Sequence, residues 1–167
     1  MSGAMATPYE AAAEELTRRV RKVLSKEGLA VYDGDTPEPS VHYGLPATVG
    51  PWCVWVDPLP HSVETSGGAS GHEHGTEFSL YVDCVAKSRK REDAVRALQR
   101  YANSVYMGVM ADATLNRTVN NALPRLFDSG CDVTNDKQFI CAAVVEVRCK
   151  TFTMCPHEFR ELIDEGQ

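Results

Sequence analysis

No stretch of this chain reaches the 18 consecutive apolar residues that a membrane-spanning helix needs. The first residues also lack the apolar segment of a secretory signal, so the expected compartment is a cytosol. Basic residues are in the minority: 17 Lys and Arg face 23 Asp and Glu. A net charge of −6 argues against a dedicated nucleic-acid binder, which shows a basic balance. The six cysteines, at 53, 84, 131, 141, 149 and 155, contain no CxxC pair. Cys53, Cys84, Cys141 and Cys149 fall in strand-like runs, where the thiol acts as a small hydrophobe. All six are therefore expected to be reduced and mostly buried. No internal repeat is visible. The glycine-rich run Ser66-Gly67-Gly68-Ala69-Ser70-Gly71 lacks the Lys-Ser/Thr end of a phosphate loop and opens no helix.

What is present has ordinary globular proportions. Of 167 residues, 43% are apolar and 24% charged. A chain this long buries about 70% of its unfolded surface without help from disulfides or metals. Residues 1–6 read as a flexible N-terminus, part of it a tag remnant. Residues 7–153 read as one α+β domain, and residues 154–167 as a tail or short helix.

A helix is predicted over 8–26. Thr7, Pro8 and Glu10 supply an N-cap, a first-turn proline and a capping-box acid. Tyr9, Ala12, Ala13, Leu16, Val20, Val23 and Leu24 form one apolar stripe. Glu10, Glu14 and Glu15 come early and Arg18, Arg19, Arg21, Lys22 and Lys26 late, which suits the helix dipole. Gly28 is expected to end the helix. A short strand is expected over 29–32 and a loop over 33–50, where prolines and glycines cluster. Residues 52–57 read as a strand stopped by Pro58 and Pro60. Residues 61–75 read as a second long loop, mobile in an isolated subunit and ordered against a neighbour.

Next come an alternating strand over 76–86, the basic turn Lys87-Ser88-Arg89-Lys90, and an amphipathic helix over 91–109. Residues 110–121 show no clear period. Residues 122–127 read as a strand, placed at an edge by Pro124. A hairpin is predicted from 131–133 and 138–152 around Thr134-Asn135-Asp136-Lys137. In its second strand Ile140, Ala142 and Val144 share a face with Glu146, Arg148 and Lys150, while the opposite face is apolar throughout. One end is therefore expected to be buried on both faces and the other to show a polar face. A short helix over 156–165 would carry the stripe Phe159, Leu162 and Ile163. The predicted fold is a twisted, mostly antiparallel sheet with two main helices on one face and a short C-terminal helix.

Chemistry-bearing groups are sparse. His72-Glu73-His74 and Cys155-Pro156-His157 fall short of the paired ligand spacings of a structural zinc site. Cysteine and histidine show no nucleophile–base pattern. Asn116-Arg117-Thr118 matches a glycosylation acceptor, which has no meaning without secretion. Lys87, Arg89, Lys90 and Arg91 form a basic patch without stacking aromatics, read as a solvated turn or a phosphate contact. No catalytic, cofactor or metal residue is assigned, and the expectation is a non-enzyme. His61, Glu64, His72, His74, Lys87, Arg89, Lys90 and Arg91 are the candidate interface residues. A sheet with a polar face and open edges can add strands from a neighbour.

The order of elements resembles the tail terminator, or tail completion, proteins of long-tailed bacteriophages. The likeness is carried by the N-terminal amphipathic helix, the strand from Trp52 to Pro58 and the strand from Glu77 to Ala86. It continues through the Arg-rich turn into the helix from Glu92 to Val109 and the strand from Phe139 to Phe152. It spans about residues 7–153. The resemblance implies a six-fold homo-oligomeric ring that caps the growing tail tube and then meets the head-side connector. DNA would cross such a ring without sequence-specific contact. It implies no catalytic residues. The tail 154–167 and the cysteine count sit outside the pattern. The alternatives are another phage head–tail joining or tail-tube protein, or a small cytosolic enzyme or metal-binding protein.

Overall fold

The computed structural model describes residues 6–67, 73–154 and 156–166. The first helix, α1, runs Pro8–Val23. Its start follows the sequence signals: the Thr7 hydroxyl accepts from the Glu10 N–H at 3.1 Å, and the Glu10 carboxylate accepts from the Thr7 N–H at 2.7 Å. Its end does not. Gly28 does not terminate it; the helix stops at Val23, and Ser25 caps a separate short helix, α2, Lys26–Leu29. The Ser25 hydroxyl accepts from the Gly28 N–H and donates to the Lys22 carbonyl. One polar side chain thus ends the first helix and starts the second. The expected strand over 29–32 is absent, because Leu29 closes α2 and turns follow.

Five strands form one sheet in the order β1-β2-β3-β5-β4. They are β1 (Ser40–Tyr43), β2 (Trp52–Gly67), β3 (Glu73–Ser88), β4 (Asn121–Val133) and β5 (Phe139–Met154). All pairings are antiparallel except that of β1 with β2. The fold is therefore α+β with a mostly antiparallel sheet. Strand β1 lies inside the segment expected to be loop. Gly44, at φ +82°, turns the chain away directly after it, and its N–H donates to the Val56 carbonyl at 2.7 Å.

Strand β2 also departs from expectation. Pro58 and Pro60 do not stop it, because they lie where the register with β3 shifts between Asp57 and His61. A proline in a bulge removes no ladder hydrogen bond. Beyond Val56 the strand has also passed the end of β1, so its other edge is open. Residues expected to be loop over 61–75 pair instead as hairpin arms, from His61 opposite Ser79 to Gly67 opposite His74. Residues 68–72 of that expected loop lie outside the described residues.

The α3 helix (Arg91–Met110) and α1 cover one face of the sheet. Between them lie Leu16 and Val20 of α1, Leu98, Tyr101 and Val105 of α3, and Phe78, Leu80, Val82, Val145 and Val147 of the sheet. The Tyr101 hydroxyl donates to the Pro37 carbonyl, so its buried polar end is satisfied. Residues after α3, which show no period, are organised by Asp112. Its carboxylate accepts from the Thr114 N–H and hydroxyl and from the Asn116 N–H. Leu115, Asn116 and Arg117 all take positive φ in this turn. Arg19 of α1 donates to the Gly108 carbonyl at 3.3 Å, the Asp112 carbonyl at 2.6 Å and the Asp112 carboxylate at 3.1 Å. A cation therefore sits at the negative end of α3. These hydrogen bonds hold the Asp112 carboxyl well below the usual carboxylate range.

The cysteines need one correction. Cys131 on β4 lies directly opposite Cys141 on β5, with Cα atoms 4.1 Å apart, and the two form a disulfide. Strand pairing brings together two residues that compartment reasoning treated as free. Cys53, Cys84 and Cys149 are free and buried, and Cys155 lies outside the described residues. Burial pushes the Cys84 thiol far up and the Cys149 thiol up to about 12.

Candidate assembly interface

Helices cover only one face of the sheet. The opposite face is bare among the described residues, and it carries alternate side chains of every strand. Its charged half forms a continuous network across β2, β3, β5 and β4. On β2, His61 Nε2 lies 2.7 Å from Asp57 Oδ2, and its ring lies 4.8 Å from that of Tyr81 on β3. The Tyr81 hydroxyl donates to Glu146 of β5 at 3.4 Å, and its ring lies 5.5 Å from Phe127 of β4. Glu146 in turn pairs with Arg125 of β4 at 3.0 Å. Arg125 also lies over the Phe127 ring.

One row further along, Arg148 donates to the Ser62 carbonyl at 2.7 Å and to the Ser79 hydroxyl at 3.2 Å. It also lies 3.6 Å from both Glu64 and Glu77, and Lys150 lies 3.7 Å from Glu77. Charges here alternate in sign and neutralise one another. Asp83, beside this network, has its carboxyl pushed up, first by burial and then by the Asp57 carboxylate, against the opposing pull of His61.

The other half of the face is apolar, and it overturns an expectation. Ile140, Ala142 and Val144 were expected to be buried on this face as well. Ala142 is exposed, and Ile140 and Val144 are only half-buried. The helices pack on the opposite face, and no described element crosses this one, so apolar composition alone did not bring burial. Asp128 and Asp132 of β4 flank these residues. The end of the β2–β3 hairpin is flanked by β5 and lies beside Pro8 and Tyr9 of α1, with Leu59 and Val63 exposed along it.

The candidate interface residues divide into two groups. His61, Glu64 and His74 lie on this hairpin, where His61 and Glu64 join the charged network. His72 lies outside the described residues. Lys87, Arg89, Lys90 and Arg91 sit at the far end of β3 and the start of α3. From His74 to Lys87 along β3 is about 40 Å at the rise of a strand, so the fold does not bring the two groups together. Lys87 and Arg89 instead lie near the β4–β5 turn, where the Thr134 hydroxyl, and after it their charge, lowers the Asp136 carboxyl. Among the described residues no three His, Cys, Asp or Glu gather as a metal site. His157, a candidate ligand by sequence, pairs with Glu161 at 3.0 Å.

Two surfaces escaped the interface reading. One is the aromatic–charged row Tyr81, Phe127, Arg125 and Glu146, whose partners come from three strands. The other is the C-terminal helix α4 (His157–Glu165), none of whose residues is buried. Its stripe was readable, but its lack of a partner was not.

No family model matches the chain, and no curated protein matches it. Among solved structures, it is similar to a chain of the virion of a native gene transfer agent (GTA) particle, with a TM-score of 0.44 and 11% identity. That similarity covers 83% of this chain and 93% of the other.

Proposed function

We propose that this protein is a structural component of a phage virion. In this reading it forms a six-fold ring at the head-proximal end of the tail, ends tube polymerisation and presents a surface to the head-side connector. The order of elements supports the reading through its resemblance to tail terminators. The observation that carries it is the asymmetry of the chain's uncovered surface. A charged sheet face and the end of the β2–β3 hairpin lie toward one end of β3, and a basic turn lies at the other. A tube lengthens by repeating one heterologous contact, and a subunit whose two ends differ can accept that contact without offering it again. The reading includes no catalytic activity and no required metal. It also has DNA crossing the ring without base-specific contact, the net charge of −6 limiting adhesion.

The test is loss of the gene in the producing phage. Tails of abnormal length, unattached to heads, are expected. Tails of normal length joined to filled heads overturn the capping role. A second reading, a subunit of the tube or of another head–tail joint, draws on the open edge of β4, which is 13 residues long. Such an edge can pair with a neighbour's strand. Electron microscopy of the purified chain separates the two: closed rings fit the first reading and open-ended tubes the second.

A further inference from the structure

The α4 helix is amphipathic and lacks a surface to pack on. Phe159, Leu162 and Ile163 stand at the i, i+3, i+4 spacing of a helical stripe and are 53%, 64% and 68% exposed. A helix of nine residues is marginal in water without a packed face. Its other side is acidic: Glu158, Glu161, Asp164 and Glu165 outweigh Arg160.

A complementary surface exists elsewhere on the chain. Between α3 and β4 runs an open apolar groove of about 300 Å³. Val95, Leu98, Ala102, Leu126 and Ala143 line it, and Arg91 stands at its rim. Leu126 is 55% exposed there. Arg91 continues the basic turn of Lys87, Arg89 and Lys90, so an acidic helix meets opposite charge at this mouth. The groove shares Ser129, Gly130, Cys131 and Ala143 with the apolar half of the bare sheet face, and α3 with Leu126 gives it a wall that the bare face lacks.

The chain's own α4 cannot reach this groove. Ala143 lies near the start of β5 and Met154 at its end, about 35 Å apart at the rise of a strand. Two residues then lead into α4, a span of about 7 Å, and the helix itself is about 14 Å long. Folded straight back, it falls short. An occupant of this kind comes from another molecule, and among the described residues α4 of a second copy offers the exposed apolar stripe with an acidic side.

We infer that α4 of one copy docks in the α3–β4 groove of the next. Phe159, Leu162 and Ile163 enter the apolar floor, and the acidic side meets Arg91 and the basic turn. The contact is heterologous, because each copy gives a helix at one end and a groove at the other. Repetition closes a ring or runs on as a filament. The inference rests on the proposed function only for self-association; tube capping plays no part in it.

Light scattering in solution tests the contact with two full-length variants. One carries Leu162→Asp with Ile163→Asp, in a helix outside the core. The other carries Leu126→Asp in the groove. Wild-type protein should associate as concentration rises, and each variant alone should associate about 100-fold more weakly or less. Mixed in equal amounts, the variants should yield a species of twice the monomer mass, since one retains a groove and the other a helix. Ala102→Glu replaces Leu126→Asp if circular dichroism shows the latter unfolded. Three results overturn the contact: a helix variant that keeps wild-type mass, two monomeric variants that stay monomeric when mixed, or a wild-type chain that is monomeric at its highest soluble concentration. Normal tails from a phage without the gene would remove the capping role and leave this contact standing.

Discussion

The two faces of the sheet are built from the same strands but held by different physics. On the covered face, Phe78, Leu80, Val82, Val145 and Val147 are sealed beneath α1 and α3. On the bare face, one residue over in each strand, Tyr81, Glu146, Arg148 and Lys150 meet water and one another. The first face supplies stability through area removed from water. The second contributes little, because exposed ion pairs are worth at most about 1 kcal/mol each. The comparison teaches that the conspicuous polar network is poorly suited to hold the fold. Its value lies in defining a surface.

The sharpest test of that contrast is Phe78→Ala, which removes a fully buried ring. The expected loss is about 3–5 kcal/mol, a fall in Tm of about 10 °C, read by thermal unfolding. A loss below about 1 kcal/mol would break the comparison, since the covered face would then count no more than a surface pair. Replacing both Cys131 and Cys141 by Ser tests the seam between β4 and β5. The disulfide closes a sequence separation of 10, and its removal is expected to cost about 2–3 kcal/mol. Reductant should lower the wild-type midpoint in the same way and leave the double variant unchanged.

Arg19→Ala probes the joint between α1 and the end of α3. It removes hydrogen bonds to two carbonyls and to the carboxylates of Asp112 and Glu15, with an expected loss of about 1–2 kcal/mol in urea unfolding. Part of that loss should depend on acid. The Asp112 carboxyl is lowered in the fold, so its contribution is present above its ordinary value of 3.8 and is lost as pH falls below it. Asp83→Asn works in the opposite direction. The Asp83 carboxyl is raised by burial and by Asp57, so its ionised form weakens the fold above the folded pKa. The variant should be more stable than wild type at pH 7, with the gap closing as pH falls toward 3.8. Least affected should be Arg148→Ala on the bare face, with a loss under about 1 kcal/mol. A larger loss would mean that the network helps to hold the fold after all.

Local signals were legible where one residue type decides one local structure. Thr7, Pro8 and Glu10 set the start of α1, the stripe from Val95 to Val109 set α3, and Pro124 marked β4 as an edge strand. The same logic failed wherever a distant partner decided. Pro58 and Pro60 signalled a stop, but a bulge against β3 let the strand continue. The segment holding β1 looked like loop because its four residues gain their ladder only from β2. The candidate site was legible in part. The basic turn and the stripe of α4 were visible, whereas the α3–β4 groove was not, since its walls come from segments far apart in sequence.

The sequence by itself determined the start of α1, the helix α3, the alternation of β3 and β5, and the α+β class. These rest on periodicity and capping, which act over a few residues. Only the tertiary structure decided which face of the sheet was covered, that Cys131 meets Cys141, and that Ile140, Ala142 and Val144 remain at the surface. A strand's pattern states which residues share a face, but packing against other elements states whether that face is inside.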